Sequence, residues 1–255
     1  MIKHMAFIQC ELKSESIQVD TSLAVILPHD KPHKPDCQGV LYLLHGRGQS
    51  AQAWMRYTGI EYYAGKYDIA VIMPEAGRTF YTDKHFGGSY FSYITRELPE
   101  LCNRMFHIEQ GPSKTWIAGL SMGGYGALKC AFNYPDQYAG CAAFSAVTDI
   151  RWRLEETPKD SPGYRSLQGV FGVNPEPRAG EDLFEIAGTA ARAPQRPRLM
   201  ITCGLEDVRL DQNRRLSALL KEQGYEHEYQ EWTGAHDWDF WDASIKKALG
   251  FFFEK

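Results

Sequence analysis

The chain has 255 residues and no uninterrupted apolar run of membrane-spanning length, which excludes an ordinary transmembrane helix from its reading. Its first residues, MIKHMAFIQCELKSES, lack the long apolar segment and small-residue cleavage site of a secretory leader. The six cysteines, at 10, 37, 102, 130, 141 and 203, lack C-x-x-C spacing and mostly fall inside apolar segments, where a reduced thiol packs as a small hydrophobe. A cytoplasmic, disulfide-free protein is therefore expected. There is no excess of basic charge: the formal net charge is −4 and the pI about 6.1. No field attracts a phosphate backbone or an anionic lipid surface, so neither nucleic acid nor membrane is expected as a partner. No internal repeat or low-complexity tract occurs. G-R-G at 46–48 belongs to neither G-x-x-x-x-G-K-[ST] nor a full G-x-G-x-x-G, so a phosphate loop is set aside. In the Pro-rich loop PHDKPHKPDC at 28–37, His29 and His33 are four apart, but the prolines prevent the helix that would align them on a metal.

What is present suits one large α/β domain. The chain is 44% hydrophobic, enough for a full core. SIQVDTSLAVIL, with Ile17, Val19, Thr21, Leu23, Val25 and Leu27 alternating, predicts an antiparallel strand with one buried face. Continuous apolar runs follow: GVLYLLH (39–45), IAVIMP (69–74), TWIAG (115–119), CAAFSA (141–146) and RLMITC (198–203). Such runs predict strands buried on both faces. Between them, Phe91, Ile94, Leu98, Leu101 and Met105 predict a helix kinked at Pro99, and Leu216, Leu219 and Leu220 one stopped by Gly224. Alternation of this kind implies a mostly parallel, doubly wound sheet with helices on both faces. Residues 148–195 break the pattern with proline, glycine and short helical fragments. They are expected to form an inserted cap on a single domain spanning 1–255.

The chemistry concentrates in TWIAGLSMGGYGALKC. Gly119, Leu120, Ser121, Met122 and Gly123 spell G-x-S-x-G between an apolar strand and a helix-compatible run, the context of a nucleophile elbow. The glycines let the chain pass close to a strained serine, and the following helix aims its N-terminal dipole at any negative charge formed there. Gly124 and Gly126 should let that helix pack tightly on the sheet.

A serine hydroxyl needs a base, and the base needs an acid to fix its tautomer. The chain order Ser, acid, His discards His4, His29, His33, His45, His85 and His107. His227 lies in the strand-like HEYQEW, flanked by Glu226 and Glu228. His236, in a short glycine-bearing loop before the last helix, is the expected base, while Trp238 and Trp241 beyond it are read as core anchors. Met122 should supply one oxyanion N–H and Arg47, in HGRGQS, the other. The Arg47 side chain could face an acidic substrate group, although a solvated arginine is the commoner outcome.

CGLEDVRLD (203–211) crowds three carboxylates, and spacing leaves Glu206 and Asp207 as rivals for the triad acid. Asp149 is a third candidate, at the end of the preceding strand segment, and Asp211 is placed to N-cap the helix of Leu216.

LYLLHGRG, YTDKHFGGSYFSYITRELPELCNRMF, IAGLSMGGYGALKCA and GAHDWDFW together resemble the esterase D branch of the α/β-hydrolases. The likeness is greatest to the short-chain carboxylesterases called tributyrin esterases; S-formylglutathione hydrolases and secreted mycolyltransferases are more distant. The resemblance covers most of the chain and is weakest at 148–195. It implies that Asp207, the aspartate of C-G-x-x-D, is the acid, His236 the base, and Arg47 and Met122 the oxyanion donors. It implies hydrolysis of small acyl esters, acetyl to butyryl, without metal or organic cofactor, and relatives of this kind often form dimers or tetramers. HGRGQ stands where formylglutathione hydrolases typically carry a cysteine-bearing S-G-L-T-C loop, which lowers the glutathione-thioester reading. Aromatics concentrate at Phe80, Tyr81, Phe86, Tyr90, Phe91 and Tyr93, with Trp152, Tyr164 and Phe171 in the cap; several must be core, and the others are expected to give a partly aromatic, cap-shaded acyl pocket. A feruloyl- or acetyl-xylan-type esterase is the runner-up. An acyltransferase and a non-catalytic hydrolase-fold binding protein are the alternatives of other kinds.

Overall fold

Each continuous apolar run becomes an interior strand. The computed structural model describes residues 4–29 and 37–254; His33 and its pairing with His29 lie outside them. Eight strands form one sheet in the order β1-β2-β4-β3-β5-β6-β7-β8. They are β1 (Met5–Lys13), β2 (Asp20–Pro28), β3 (Gly39–Leu44), β4 (Ile69–Pro74), β5 (Thr115–Leu120), β6 (Gly140–Phe144), β7 (Arg198–Gly204) and β8 (Glu228–Trp232). From β4 to β8 all pairings are parallel, while β1 and β2 are antiparallel. This is the α/β-hydrolase architecture. The continuity of the apolar runs has a direct cause: Val40, Tyr42 and Leu44 of β3 enter one core and Leu41 and Leu43 the other.

Helices cover both faces. They are α1 (Ala53–Tyr57), α2 (Ile60–Tyr67), α3 (Tyr90–Ser92), α4 (Leu98–Phe106), α5 (Met122–Asn133), α6 (Ile150–Glu156), α7 (Pro162–Phe171), α8 (Leu183–Arg192), α9 (Leu210–Glu222) and α10 (Trp238–Phe253). The core shared by α1, α2 and α10 includes Trp54, Trp241, Ile245 and Leu249. The opposite core gathers Ile94, Leu98, Leu128, Leu216 and Leu220 from α4, α5, α9 and the turn before α4. Each such fully buried side chain contributes about 1.5–3 kcal/mol relative to exposure.

Three local expectations are corrected. Residues 15–17 form a turn rather than the start of a strand; Val19 is exposed, and Ala24, Val25 and Ile26 of β2 are all buried because both faces carry core, Val25 in one and Ala24 and Ile26 in the other. At Pro99 the kink takes the form of a π-helical turn, Tyr93–Glu97, which accommodates the missing proline N–H with wider hydrogen bonding. The wider turn rotates the buried stripe to Tyr93, Ile94, Leu98 and Cys102, leaving Met105 exposed. Asp211 does not cap α9; it lies in the first turn and pairs with Arg215, while Arg209 holds the N-cap position.

Between β6 and β7 the chain forms three capped helices. Asp149, Ser161 and Asp182 accept the backbone N–H groups of Trp152, Tyr164 and Phe184 at the N-termini of α6, α7 and α8. α8 packs on α5 and α9 within the helical layer, while α6 carries Arg153 to the cavity that Ser121 lines.

Candidate active site

Ser121 sits where β5 turns into α5, with φ 52° and ψ −112°. A non-glycine residue stays in that region only when its surroundings over-determine it. Here the Ser121 N–H donates to the Phe144 carbonyl at 2.8 Å, and its carbonyl accepts from Tyr125 at 3.1 Å and Val147 at 3.1 Å. The flanking glycines are needed for contact. A Cβ on Gly119 would lie 2.5 Å from the Gly123 carbonyl, and one on Gly123 2.3 Å from the Leu44 carbonyl. Gly126 faces the Tyr81 ring rather than the sheet.

His236 Nε2 lies 3.0 Å from Ser121 Oγ, and His236 Nδ1 lies 2.9 Å and 3.1 Å from the two Asp207 oxygens. The acceptor pair on Nδ1 assigns the ring proton there and leaves Nε2 free to accept from the serine. The imidazole is 31% exposed and the Asp207 side chain fully buried, so only the base opens to the cavity. Burial by itself would raise the Asp207 pKa. His236, ahead of the Arg209 N–H at 2.7 Å, reverses that and holds the carboxyl below its ordinary value.

The loop after β8 is fixed at both ends. Asp237 caps α10 by accepting the Phe240 N–H, and Trp241 meets the His236 ring edge-on at 5.0 Å. Trp241 is thus both the expected core anchor and a wall for the imidazole. Glu206 does not touch His236; it accepts the Gly234 N–H and donates its own N–H to the Gly234 carbonyl at 3.0 Å, tying the two loops together. Asp149 is committed to capping α6 and to Arg215 at 2.8 Å. Of the rival acids only Asp207 meets the histidine. His227 is half-buried on the edge strand's approach, against Ser217 at 2.8 Å. His45 is buried and accepts the Ala76 N–H at 3.0 Å through Nε2, which shapes the loop carrying Arg47.

Gln49 Oε1 takes the Gly46 N–H at 2.8 Å, while among the described residues no protein acceptor takes the N–H of Arg47 or Met122. Both residues line the same cavity of about 280 Å³ as Ser121 and His236. The cavity corrects the expectation of an aromatic pocket. Of the nine aromatics only Phe80 lines it. Tyr81, Tyr93 and Phe171 are core, Tyr90 and Phe91 pack against core, and Phe86 is exposed. In their place stand Arg47, Arg78, Arg153 and Arg209. Sequence reasoning found the first alone, and expected its side chain in solvent, whereas its Nε and Nη2 are buried. No short-range signal joins the four, because they come from four separate connections.

The family model "Putative esterase" matches residues 14–252. An acetyl esterase of Caldicellulosiruptor saccharolyticus is 33% identical over 96% of this chain and 97% of its own length. Among solved structures, the substrate-bound fluorophosphonate-binding serine hydrolase FphF of Staphylococcus aureus has a TM-score of 0.89 at 28% identity, covering 98% of this chain and 99% of its own. The apoenzyme of an S-formylglutathione hydrolase, FrmB, from the same organism has a TM-score of 0.87 at 29% identity, covering 98% and 100%.

Proposed function

The chain belongs to the esterase family matched over residues 14–252, and from that premise we propose that it is a serine carboxylesterase acting on short acyl esters through Ser121, His236 and Asp207. The observation that carries this assignment is the continuous relay from Ser121 Oγ to His236 Nε2 at 3.0 Å and from His236 Nδ1 to Asp207 at 2.9 Å.

In this reading Ser121 Oγ attacks the ester carbonyl as its proton passes to His236 Nε2. The imidazolium so formed is stabilised by the buried Asp207 carboxylate, whose low pKa keeps it ionised. The negative oxygen of the tetrahedral intermediate is received by the Met122 and Arg47 N–H groups, at the N-terminus of α5. Collapse expels the alcohol with the proton from His236, and water then repeats the sequence on the acyl-enzyme. The chain's own groups supply every proton movement. α6 and α7 act as the cap, with Arg153 of α6 reaching the cavity. A cytoplasmic setting is supported by six free thiols, four of them buried.

A small acyl group is favoured by the acetyl esterase relative and by the scarcity of aromatic lining, since Phe80 alone offers a ring to a feruloyl group. The test is a chain-length series of p-nitrophenyl esters run beside methyl ferulate and S-formylglutathione, with fluorophosphonate labelling of the folded protein. Highest kcat/KM at acetate to butyrate with labelling at Ser121 is expected. Failure of Ser121 to label would instead favour a hydrolase-fold binding protein, and a preference for methyl ferulate would favour the feruloyl esterase.

A further inference from the structure

Acidic residues outnumber basic ones in this chain, 32 to 28, yet the cavity over Ser121 is lined by Arg47, Arg78, Arg153 and Arg209 and by no carboxylate. One acid meets the group from outside the lining. Glu156 accepts from Arg153 at 2.9 Å and from Arg209 at 3.2 Å. Arg153 also donates to Thr157 Oγ1 at 2.9 Å, and the Arg209 guanidinium lies over the Trp152 ring at 5.4 Å. Among the described residues no carboxylate pairs with Arg47 or Arg78. Arg47 is the most exacting of the four, because its Nε and Nη2 are buried with no hydrogen-bond partner. A buried donor without an acceptor is a standing cost, and a guanidinium cannot relieve it by losing a proton. Burial, then the neighbouring Arg153 and Arg78, already draw the Arg47 pKa below that of an ordinary arginine.

The four arginines arrive from separate places: the loop after β3, the loop after β4, α6, and the N-cap of α9. Convergence of four connections on one cavity distinguishes a built site from the solvated face of a single helix. A carboxylate or phosphate offers the several acceptor lone pairs, and the negative charge, that such a set lacks. Building on the esterase reading above, we propose that the ester turned over at Ser121 carries an anionic group, a carboxylate or phosphate, which Arg47, Arg78 and Arg153 receive. The anion can belong to the acyl chain or to the alcohol; the charge is the shared feature.

Two matched pairs of esters separate these sources, each normalised to its rate of alkaline hydrolysis. For the alcohol side the pair is 4-acetoxybenzoate and its methyl ester; for the acyl side, monophenyl adipate and its methyl ester. In the full-length protein at low salt, the anionic member of at least one pair should show about tenfold or greater kcat/KM, carried mainly by KM and declining as salt is added. The pair that responds identifies the side. Arg78→Gln, at an exposed position whose loss leaves the core intact, should lower the anionic-to-neutral ratio about fivefold or more, and Arg153→Gln should lower it as well. Ratios near or below one in both pairs, unmoved by Arg78→Gln while Ser121 labels and the neutral esters are hydrolysed, would overturn the anionic substrate and leave the esterase standing. If neither neutral ester is hydrolysed and the fluorophosphonate fails to label, the esterase reading falls and this proposal with it.

Discussion

At the N-terminal end of α5, Ser121 opens onto a cavity where two guanidinium nitrogens of Arg47 are buried without partners. About two turns along the same helix, Lys129 is 1% exposed, with Nζ donating to Thr82 Oγ1 at 2.6 Å and lying over the rings of Phe91 and Tyr125. Lys129 is withdrawn from water entirely and Arg47 at two of its nitrogens, and neither has a carboxylate bonded to it. The lysine escapes through its chemistry: burial, opposed only partly by Glu181 and other distant charges, brings its pKa down to about 8, so the ammonium sheds a proton at modest expense. The arginine has no such exit. A buried lysine can therefore be a packing element, here bracing the left-handed Phe80–Tyr81 corner through the Phe80 carbonyl at 3.5 Å. A half-buried arginine with two buried, unpartnered nitrogens beside a nucleophile calls for an anion.

This contrast predicts that changes at the N-terminal end of α5 alter turnover and spare stability, whereas changes along its body do the reverse. The largest effect belongs to Ser121→Ala, which should reduce kcat for p-nitrophenyl acetate by about 10⁴ or more with the thermal midpoint preserved. Near-native turnover would remove the reactive end from the comparison altogether. Asp207→Asn should cost about 10⁴ in kcat by presenting the wrong histidine tautomer, measured in the same assay with circular dichroism as the check on folding.

Lys129→Met tests the other side. A folded pKa of about 8 against an ordinary 10.5 means that the unfolded chain binds the proton more tightly. Stability from this group is full above the unfolded value and is lost as pH falls through the folded one. Urea denaturation should show the variant gaining on the native protein by about 2 kcal/mol as pH is lowered from about 9.5 to about 7.5. Turnover of p-nitrophenyl acetate should change by less than about threefold. A loss of activity comparable to that of Asp207→Asn would merge the two regions. The smallest effect is expected from Glu206→Gln, about tenfold or less in kcat, because Glu206 ties the Gly234 backbone and leaves the imidazole untouched. An effect equal to that of Asp207→Asn would put the two acids on one footing.

Much of the fold is legible in short stretches. Strands β3 to β7 read correctly because a strand covered on both faces must be apolar throughout, and no distant residue alters that. β1 carries an equally local signal, Ala6, Ile8, Cys10 and Leu12 facing inward and Gln9, Glu11 and Lys13 outward. The turn at Gln18, φ 57°, is another matter: the alternation of apolar residues runs straight through it, and only packing breaks the strand there. In the site, G-x-S-x-G pointed to Ser121, and chain order narrowed the base to His227 and His236, of which the second lies in the loop after the last strand; both signals follow from where a connection leaves the sheet. The choice of Asp207 over Glu206 needed the resemblance, because adjacent residues in one turn differ only in which way the backbone points them.

By itself, the sequence determined a doubly wound parallel sheet, a serine at a strand-to-helix elbow and a histidine in the last loop, features governed by periodicity and by the glycines flanking the serine. Tertiary structure alone decided the character of the cavity. Of Arg47, Arg78, Arg153 and Arg209 the sequence singles out only the first, with its side chain expected in solvent, and the aromatic segment at 80–93 reads as a pocket wall. Folding sends most of those rings into the core and draws the four arginines together. The physical reason is that hydrophobic periodicity is written locally, whereas the charge of a cleft is a sum over connections far apart in the chain.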